Sequence, residues 1–254
     1  MPKSSKLLLG VDVGGSGIKG APVDLKKGRL TTERVRIPTP QPATPDAVAD
    51  VICEIAAAYA WDGPIGCCLP SRVRKGVTET ASNIDPAWIG TRAAKLFRKR
   101  CGAPVEVLND ADAAGLAEMA FGAGRKQKGV TLVLTFGTGI GSALFLDGAL
   151  LPNAELGHLP WRESVAEDYA ADSVRKEKAM SWERWATARV QPVLACYEFL
   201  LSPDLIVIGG GVSKPERWSE FGYLLKARAK IRPAKLDNNA GIVGAAYAAR
   251  GLLE

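Results

Sequence analysis

Residues able to do chemistry gather at a few strand ends in this 254-residue chain. In LLLGVDVGGSGIKGAPV, Leu7 to Val23, an apolar run reaches Asp12 and gives way to Gly14, Gly15 and Gly17, with Lys19 beyond. Glycines allow positive φ and bring bare amides close to an anion. A carboxylate at the mouth of such a turn can hold a hydrated metal ion, and the lysine adds positive charge. The combination suits a phosphate site; the same residues also suit a glycine-rich hairpin that binds nothing. The pattern returns in TLVLTFGTGIGSALF, Thr131 to Phe145. Laying Gly137 over Asp12 puts Gly139 over Gly14 at an offset of 125 residues, about half the chain. A repeat of this kind suits two similar halves, each lending a hairpin to a shared cleft; the same residues also suit two unrelated glycine-rich β-turns.

Further polar residues stand at other strand ends. Asn109, Asp110 and Asp112 follow a short apolar stretch, Pro104 to Leu108. An acid in that place serves as a general base or as a helix N-cap. Asp112, one turn along, reads as a surface or capping acid. ELGH supplies Glu155 and His158, with Glu167 and Asp168 a little further on. His158 is the one histidine, so no site of several histidines is possible. Taken alone it reads as a satisfied core histidine. Gly209, Gly210 and Gly211 end an apolar stretch, Leu205 to Ile208, that does not alternate, as in a parallel sheet covered on both faces.

The elements that must position these residues can be read in order. Strands are expected over Leu30 to Ile37, Pro64 to Leu69, Pro104 to Leu108 and Pro203 to Ile208. A helix runs from Thr44, as N-cap with Pro45 at N1, through Tyr59. Another spans Thr91 to Cys101, with Thr91 as N-cap and Gly102 past its end. Ala111 to Phe121, Ser181 to Leu201 (with a kink at Pro192) and Gly241 to Leu252 are also expected to be helical. The last is so rich in alanine and glycine that it must pack tightly on another element.

Composition narrows the classes. Hydrophobic residues make up 47% and charged residues 24%, ordinary for a globular chain. No apolar stretch approaches the roughly 20 residues a membrane span needs, and MPKSSK leads into the first strand without a signal-peptide core. The five cysteines, 53, 67, 68, 101 and 196, form no CxxC, and reduced thiols in a cytoplasm are expected. A net charge of +6 favours an anionic partner. Basic residues cluster at Arg72, Arg74 and Lys75, along Arg92, Lys95, Arg98, Lys99 and Arg100, and in several later stretches. Few aromatics interleave with them, which weakens a single-stranded nucleic-acid reading.

As an ordered set these residues resemble the ROK family of sugar kinases, within the actin-like ATPase superfamily. The motifs are DVGGSGIK (Asp12 to Lys19), NDADAA (Asn109 to Ala114), TFGTGIG (Thr135 to Gly141), ELGH (Glu155 to His158) and DLIVIGGGVSK (Asp204 to Lys214). SNIDPAW (Ser82 to Trp88), VAEDYA (Val165 to Ala170) and NNAGIVGAA (Asn238 to Ala246) resemble the polyphosphate glucokinase branch, which includes polyphosphate/ATP glucomannokinases. General ROK proteins carry a cysteine-rich zinc motif soon after ELGH. Here no cysteine lies between Cys101 and Cys196, so no structural zinc is expected. Ser71 stands where relatives usually have glycine.

The resemblance implies an α/β fold of two RNase H-like domains with a sugar cleft between them. An N-terminal domain over 1–109 would be completed by a helix over 240–254, with a larger domain over 110–239. It implies transfer of a phosphoryl group from polyphosphate or ATP to the 6-hydroxyl of glucose, or of mannose. Asp110 would be the base. Asn83, Asn109, Asp110, Glu155, His158 and Glu167 would bind the sugar, with Asp168 a near rival of Glu167. Amides, carboxylates and imidazole suit a polyol because they satisfy hydroxyl donors and acceptors together. Asp12, Gly14, Gly15, Ser16, Lys19, Thr138, Gly139, Gly209, Gly210 and Gly211 would hold phosphate, Asp12 through Mg²⁺-bound water. The basic loop at Arg72 to Lys75 and the helix Thr91 to Cys101 would track a polyphosphate chain. A cytoplasmic homodimer with no nucleic-acid or membrane partner is expected. The rivals are an ATP-only gluco- or mannokinase and a non-catalytic sugar-sensing regulator. Such regulators carry an N-terminal helix-turn-helix domain, and only about seven residues precede the first strand here.

Overall fold

The computed structural model describes residues 7–81 and 84–253. Strands β1 (Leu7–Val13) and β2 (Ile18–Asp24) form an antiparallel hairpin, with Asp12 opposite Lys19 and Val13 opposite Ile18. β2 also pairs with β3 (Arg29–Leu30) and β4 (Val35–Ile37), so the single strand expected over Leu30 to Ile37 is two short ones. On the other side β1 pairs in parallel with β5 (Ile65–Leu69), and β5 with β6 (Val105–Asn109). The order is β3-β2-β1-β5-β6, with β4 added on β2.

Helix α1 (Pro45–Ala58) starts as its sequence dictates. The Thr44 hydroxyl accepts from the Ala47 amide at 3.3 Å, and Val48, Ile52 and Ile55 face the core. Helix α2 (Ala93–Cys101) starts later than expected, because the Thr91 hydroxyl donates back to Ala87 O at 2.7 Å rather than capping. It ends at Gly102 in the left-handed region, and Phe97 is fully buried. Cys53 and Cys101 form a disulfide joining these two helices, so two of the five thiols expected to be reduced are paired. The pairing spans 48 residues and follows from helix packing, which cysteine spacing does not reveal.

Helix α3 (Asp110–Phe121) follows β6 directly. The C-terminal helix, Ala240–Ala248, runs on as a 3₁₀ turn through Leu253 and lies on β1 and β5. Close approach requires glycine on the sheet: a Cβ at Gly10 would land on Ile242 O, and one at Gly66 on Ala245 O. Gly244 meets Ala113 of α3 in the same way. The first turns of α3 thereby stay with this first compact unit, which runs through Ala117 and resumes at Asn239. The division falls inside α3, whereas the sequence reading puts it at 109/110.

The second unit, Glu118–Asn238, repeats the plan. Strands β7 (Val130–Phe136), β8 (Ile140–Leu146), β9 (Ala149–Leu151), β10 (Leu205–Gly210) and β11 (Lys230–Pro233) lie in the order β9-β8-β7-β10-β11. β7 and β8 are antiparallel, and β7, β10 and β11 parallel. β1 and β7 share one burial pattern, with starts at Leu7 and Val130. The repeat offset along the strands is therefore 123 residues rather than 125, and the counterpart of Asp12 is Thr135; the second turn is one residue shorter, so past it the offset is 122. Ser181 to Leu201 is an interrupted helix. A π-turn at Ala186–Val190 precedes α5 (Gln191–Leu201), where Pro192 cannot donate a backbone hydrogen bond. The segment between β8 and α5 includes α4 (Ala166–Ala170). Among the described residues no helix is long and apolar enough to cross a membrane.

Candidate functional site

In each unit the glycine turns stand at the carboxyl ends of parallel strands, where open α/β sheets bind ligands, and in the first unit Asp12, Asn109 and Asp110 stand there too. In the first unit, residues 14–17 join β1 to β2. The Gly14 amide donates to Gly17 O at 3.2 Å, the Thr39 hydroxyl to Gly14 O, and Arg36 Nη2 to Ser16 O at 3.2 Å. Gly14, Gly15 and Gly17 do not adopt positive φ, contrary to expectation. Gly17 instead lies under the Arg36 guanidinium: a Cβ there would be 2.8 Å from Arg36 Nε and would make that side chain shift. Gly15 and Ser16 are exposed at the tip.

Asp12 is half-buried beneath this turn. Burial raises its pKa, opposed by the Lys19 charge, a hydrogen bond from Cys68 and the more distant Arg34. Cys68 Sγ lies 3.5 Å from Asp12 Oδ1 and 3.7 Å from Gly241 O. Burial, and then the Asp12 charge, push the Cys68 thiol well up, so it remains a donor. The C-terminal helix presses on the same carboxylate: a Cβ at Gly241 would lie 2.9 Å from Asp12 Cγ.

At the end of β6, Asn109 takes the capping role that Asp110 could have filled. Asn109 Oδ1 accepts from the Asp112 amide at 3.0 Å, the geometry of an N-cap, and its Nδ2 donates to Ser71 O at 3.2 Å. Asp110 is half-buried at the first position of α3, with Oδ1 accepting from the Ala111 amide at 2.8 Å. Asp112 is 1% exposed, so it is a buried acid rather than a surface one. Ser71 is a buried brace whose hydroxyl donates to Thr80 O at 2.6 Å. Asn83 lies outside the described residues.

In the second unit the tip is Gly137, Thr138 and Gly139. The Gly137 amide donates to Gly139 O at 3.0 Å, and Ser173 donates through its amide to Gly137 O and through its hydroxyl to Thr138 O. Gly210, at φ +82°, pairs with Phe136 at the end of β7, so the third glycine stretch lies beside this tip. Ser213 Oγ donates to Gly210 O at 2.9 Å and Arg217 Nη1 to Gly211 O at 2.8 Å, with Gly209 buried behind them.

Glu155, His158 and Glu167 form one chain of contacts. His158 Nδ1 is 3.2 Å from Glu155 Oε2, and its Nε2 is 3.5 Å from Glu167 Oε1. Glu167 Oε2 accepts from the Ile140 amide at 3.0 Å. Asp168 instead accepts from the Ser164 hydroxyl. The sequence reading does not single out Arg36, Thr39, Cys68 or Ser173. The first three are set beside the first hairpin by long-range strand pairing, which leaves no local signal.

The basic residues nominated as a polymer track divide in two. Arg72 and Arg74 both reach Glu79, at 3.6 and 2.8 Å, and Arg100 is held by Asp46 and Asp50. Among the described residues no carboxylate pairs with Lys75, Arg92, Lys95 or Lys99, all exposed.

Comparison with known proteins agrees with this geometry. Residues 8–171 match the model of the ROK family. A polyphosphate glucokinase of Mycobacterium tuberculosis is 48% identical over 94% of this chain and 89% of its own. The inorganic polyphosphate/ATP-glucomannokinase of Arthrobacter sp. superimposes with a TM-score of 0.90 at 46% identity, covering 98% of this chain and 99% of that one. A ROK family glucokinase from Streptomyces griseus, in complex with glucose and AMPPNP, gives a TM-score of 0.77 at 26% identity, covering 96% and 99%.

Proposed function

The chain belongs to the ROK family, and from that premise we propose that it transfers a phosphoryl group from inorganic polyphosphate or ATP to the 6-hydroxyl of glucose. The observation that carries the reading is the division of labour at the end of β6. Asn109 caps α3, which leaves Asp110 at the helix start with its Oδ1 accepting the Ala111 amide rather than serving as the cap.

Phosphoryl transfer asks for positioning, charge neutralisation and a proton acceptor. Asp110 takes the proton from the 6-hydroxyl as that oxygen attacks. Glu155, His158, Glu167, Asn109 and Asn83 hold the remaining hydroxyls, and mannose, differing at one of them, falls within the same reading. The amides of Gly15, Ser16, Thr138 and Gly139, with Gly14, Gly209 to Gly211 and Lys19 around them, receive donor phosphates. Mg²⁺ is usually held by one or two carboxylates together with water and substrate phosphates, and the half-buried Asp12 fits that demand. The ion would supply neutralisation of the charge that develops on the phosphoryl oxygens. Lys75, Arg92, Lys95 and Lys99 are the track for a long polyphosphate. A homodimer in the cytoplasm completes the reading.

Rates with long-chain polyphosphate and with ATP, measured across a salt series, test the donor. Polyphosphate turnover should fall steeply with salt, as counterion release predicts for a polyanion. Use of ATP with no polyphosphate turnover at any ionic strength would leave an ATP-only glucokinase, the second reading, which the likeness to the Streptomyces griseus enzyme favours.

A further inference from the structure

Arg36 is an exposed arginine on a three-residue strand. In β-sheet register it stands opposite Lys19, and Lys19 stands opposite Asp12. Residues directly opposite share a face, so Asp12, Lys19 and Arg36 form one row across β1, β2 and β4. The row ends at the first glycine hairpin. There the Arg36 guanidinium covers Gly17, where a Cβ would lie 2.8 to 2.9 Å from Nε, Cζ and Nη2, and Nη2 donates to Ser16 O at 3.2 Å.

From this row we infer that Arg36, with Lys19, seats phosphates of the donor beside the tip of the first hairpin. The inference rests on the phosphoryl-transfer reading above and adds a recognition residue to it. Two cations directly opposite on adjacent strands repel each other. One carboxylate, Asp12, faces Lys19, and among the described residues none pairs with Arg36. Arginines elsewhere in the chain, at 72, 74, 100 and 175, do have carboxylate partners. An anion at the tip would relieve the repulsion. A planar fork of N–H donors, one of them already anchored on Ser16 O, matches phosphate oxygens in geometry and charge.

The test is tripolyphosphate binding by the full chain, followed calorimetrically over a salt series, for the parent, Arg36→Gln and Arg36→Lys. Arg36→Gln keeps a side-chain N–H donor and removes the charge. It should weaken binding about tenfold at low salt, and reduce the slope of log affinity against log salt by about one. Arg36→Lys should restore most of the slope, and glucose affinity should be unchanged in both. An unchanged slope in Arg36→Gln overturns the inference. Equal losses of glucose and tripolyphosphate affinity with a lowered Tm overturn it too, because they mark a hairpin brace. A parent that binds no tripolyphosphate overturns the polyphosphate assignment and this inference together.

Discussion

Nε2 of His158 lies 3.5 Å from Oε1 of Glu167, while the other oxygen of that carboxylate accepts the Ile140 amide. One side chain thus ties the ELGH turn to the start of β8, just past the second glycine tip. Glycines flank this contact on both sides. A Cβ at Gly139 would strike Glu167 Oε2, and one at Gly157 would strike Ile140 O. Glu167→Ala leaves the Ile140 amide without its acceptor, a loss of about 1–3 kcal/mol, and on the proposed reading also removes a sugar contact. Steady-state kinetics should show the glucose KM rising about tenfold to a hundredfold. Asp168→Ala, which frees only an exposed serine hydroxyl, should change it by less than about threefold. The reverse ranking would make Asp168 the sugar ligand.

Asp110→Asn tests the proposed base separately from the fold. The amide oxygen of asparagine can still accept the Ala111 N–H, and Asn109 still caps α3, so the structure should persist. Turnover should fall by about 10²- to 10⁴-fold, the usual contribution of a general base. Glucose binding, measured by calorimetry, should survive. Near-parental turnover would show that another group takes the proton.

The contrast between legible and hidden features has a physical pattern. Asp12 with its glycine turn, the echo at Gly137 to Gly139, Thr44 with Pro45 and Gly102 after α2 are local, and each is written within a few consecutive residues. Arg36 is not. Its position depends on β4 pairing across β2, and nothing near it in the chain reports that neighbour. The Cys53–Cys101 pairing and the burial of Asp112 likewise come from packing between distant segments. The repeat offset misreads for a different reason. Matching Gly14 to Gly139 by residue identity pairs the start of one turn with the end of the other, whereas the strands, aligned by burial, pair Gly14 with Gly137. Thr91 has a good capping side chain that an earlier carbonyl claims first.

Glycines under the C-terminal helix set a stability test that is independent of chemistry. Gly66→Ala would drive a methyl into the Ala245 carbonyl, which is backbone and cannot rotate away. Overpacking of this kind costs about 1–3 kcal/mol, and at about 2–4 °C per kcal/mol for a chain of this size the Tm should fall visibly. Gly251→Ala, with nothing within 4 Å of the added methyl, is the matched control and should leave the Tm unchanged. Equal Tm values for the two variants would mean that the helix does not sit on β5 as described.

The acid limb of stability should depend on Asp172, which is 2% exposed. Burial alone would raise its pKa. Hydrogen bonds from Lys176 at 2.7 Å and Arg175 at 2.8 Å, with their charges, outweigh burial and hold the carboxyl below its ordinary value of 3.8. The folded value is depressed, so the unfolded chain binds more protons between the two values. The stabilisation is therefore full above the ordinary carboxylate value and is lost as pH falls through the folded one. Lys176 is largely exposed and screened by solvent, so most of the effect belongs to Arg175, which is also held over the Trp182 ring at 3.7 Å. Asp172→Asn should cost about 1–2 kcal/mol at neutral pH, with the deficit shrinking as acid protonates the parent. Urea unfolding from neutral pH down to about pH 2 measures both limbs. A deficit that stays constant across that range would mean the loss is one of packing rather than of charge.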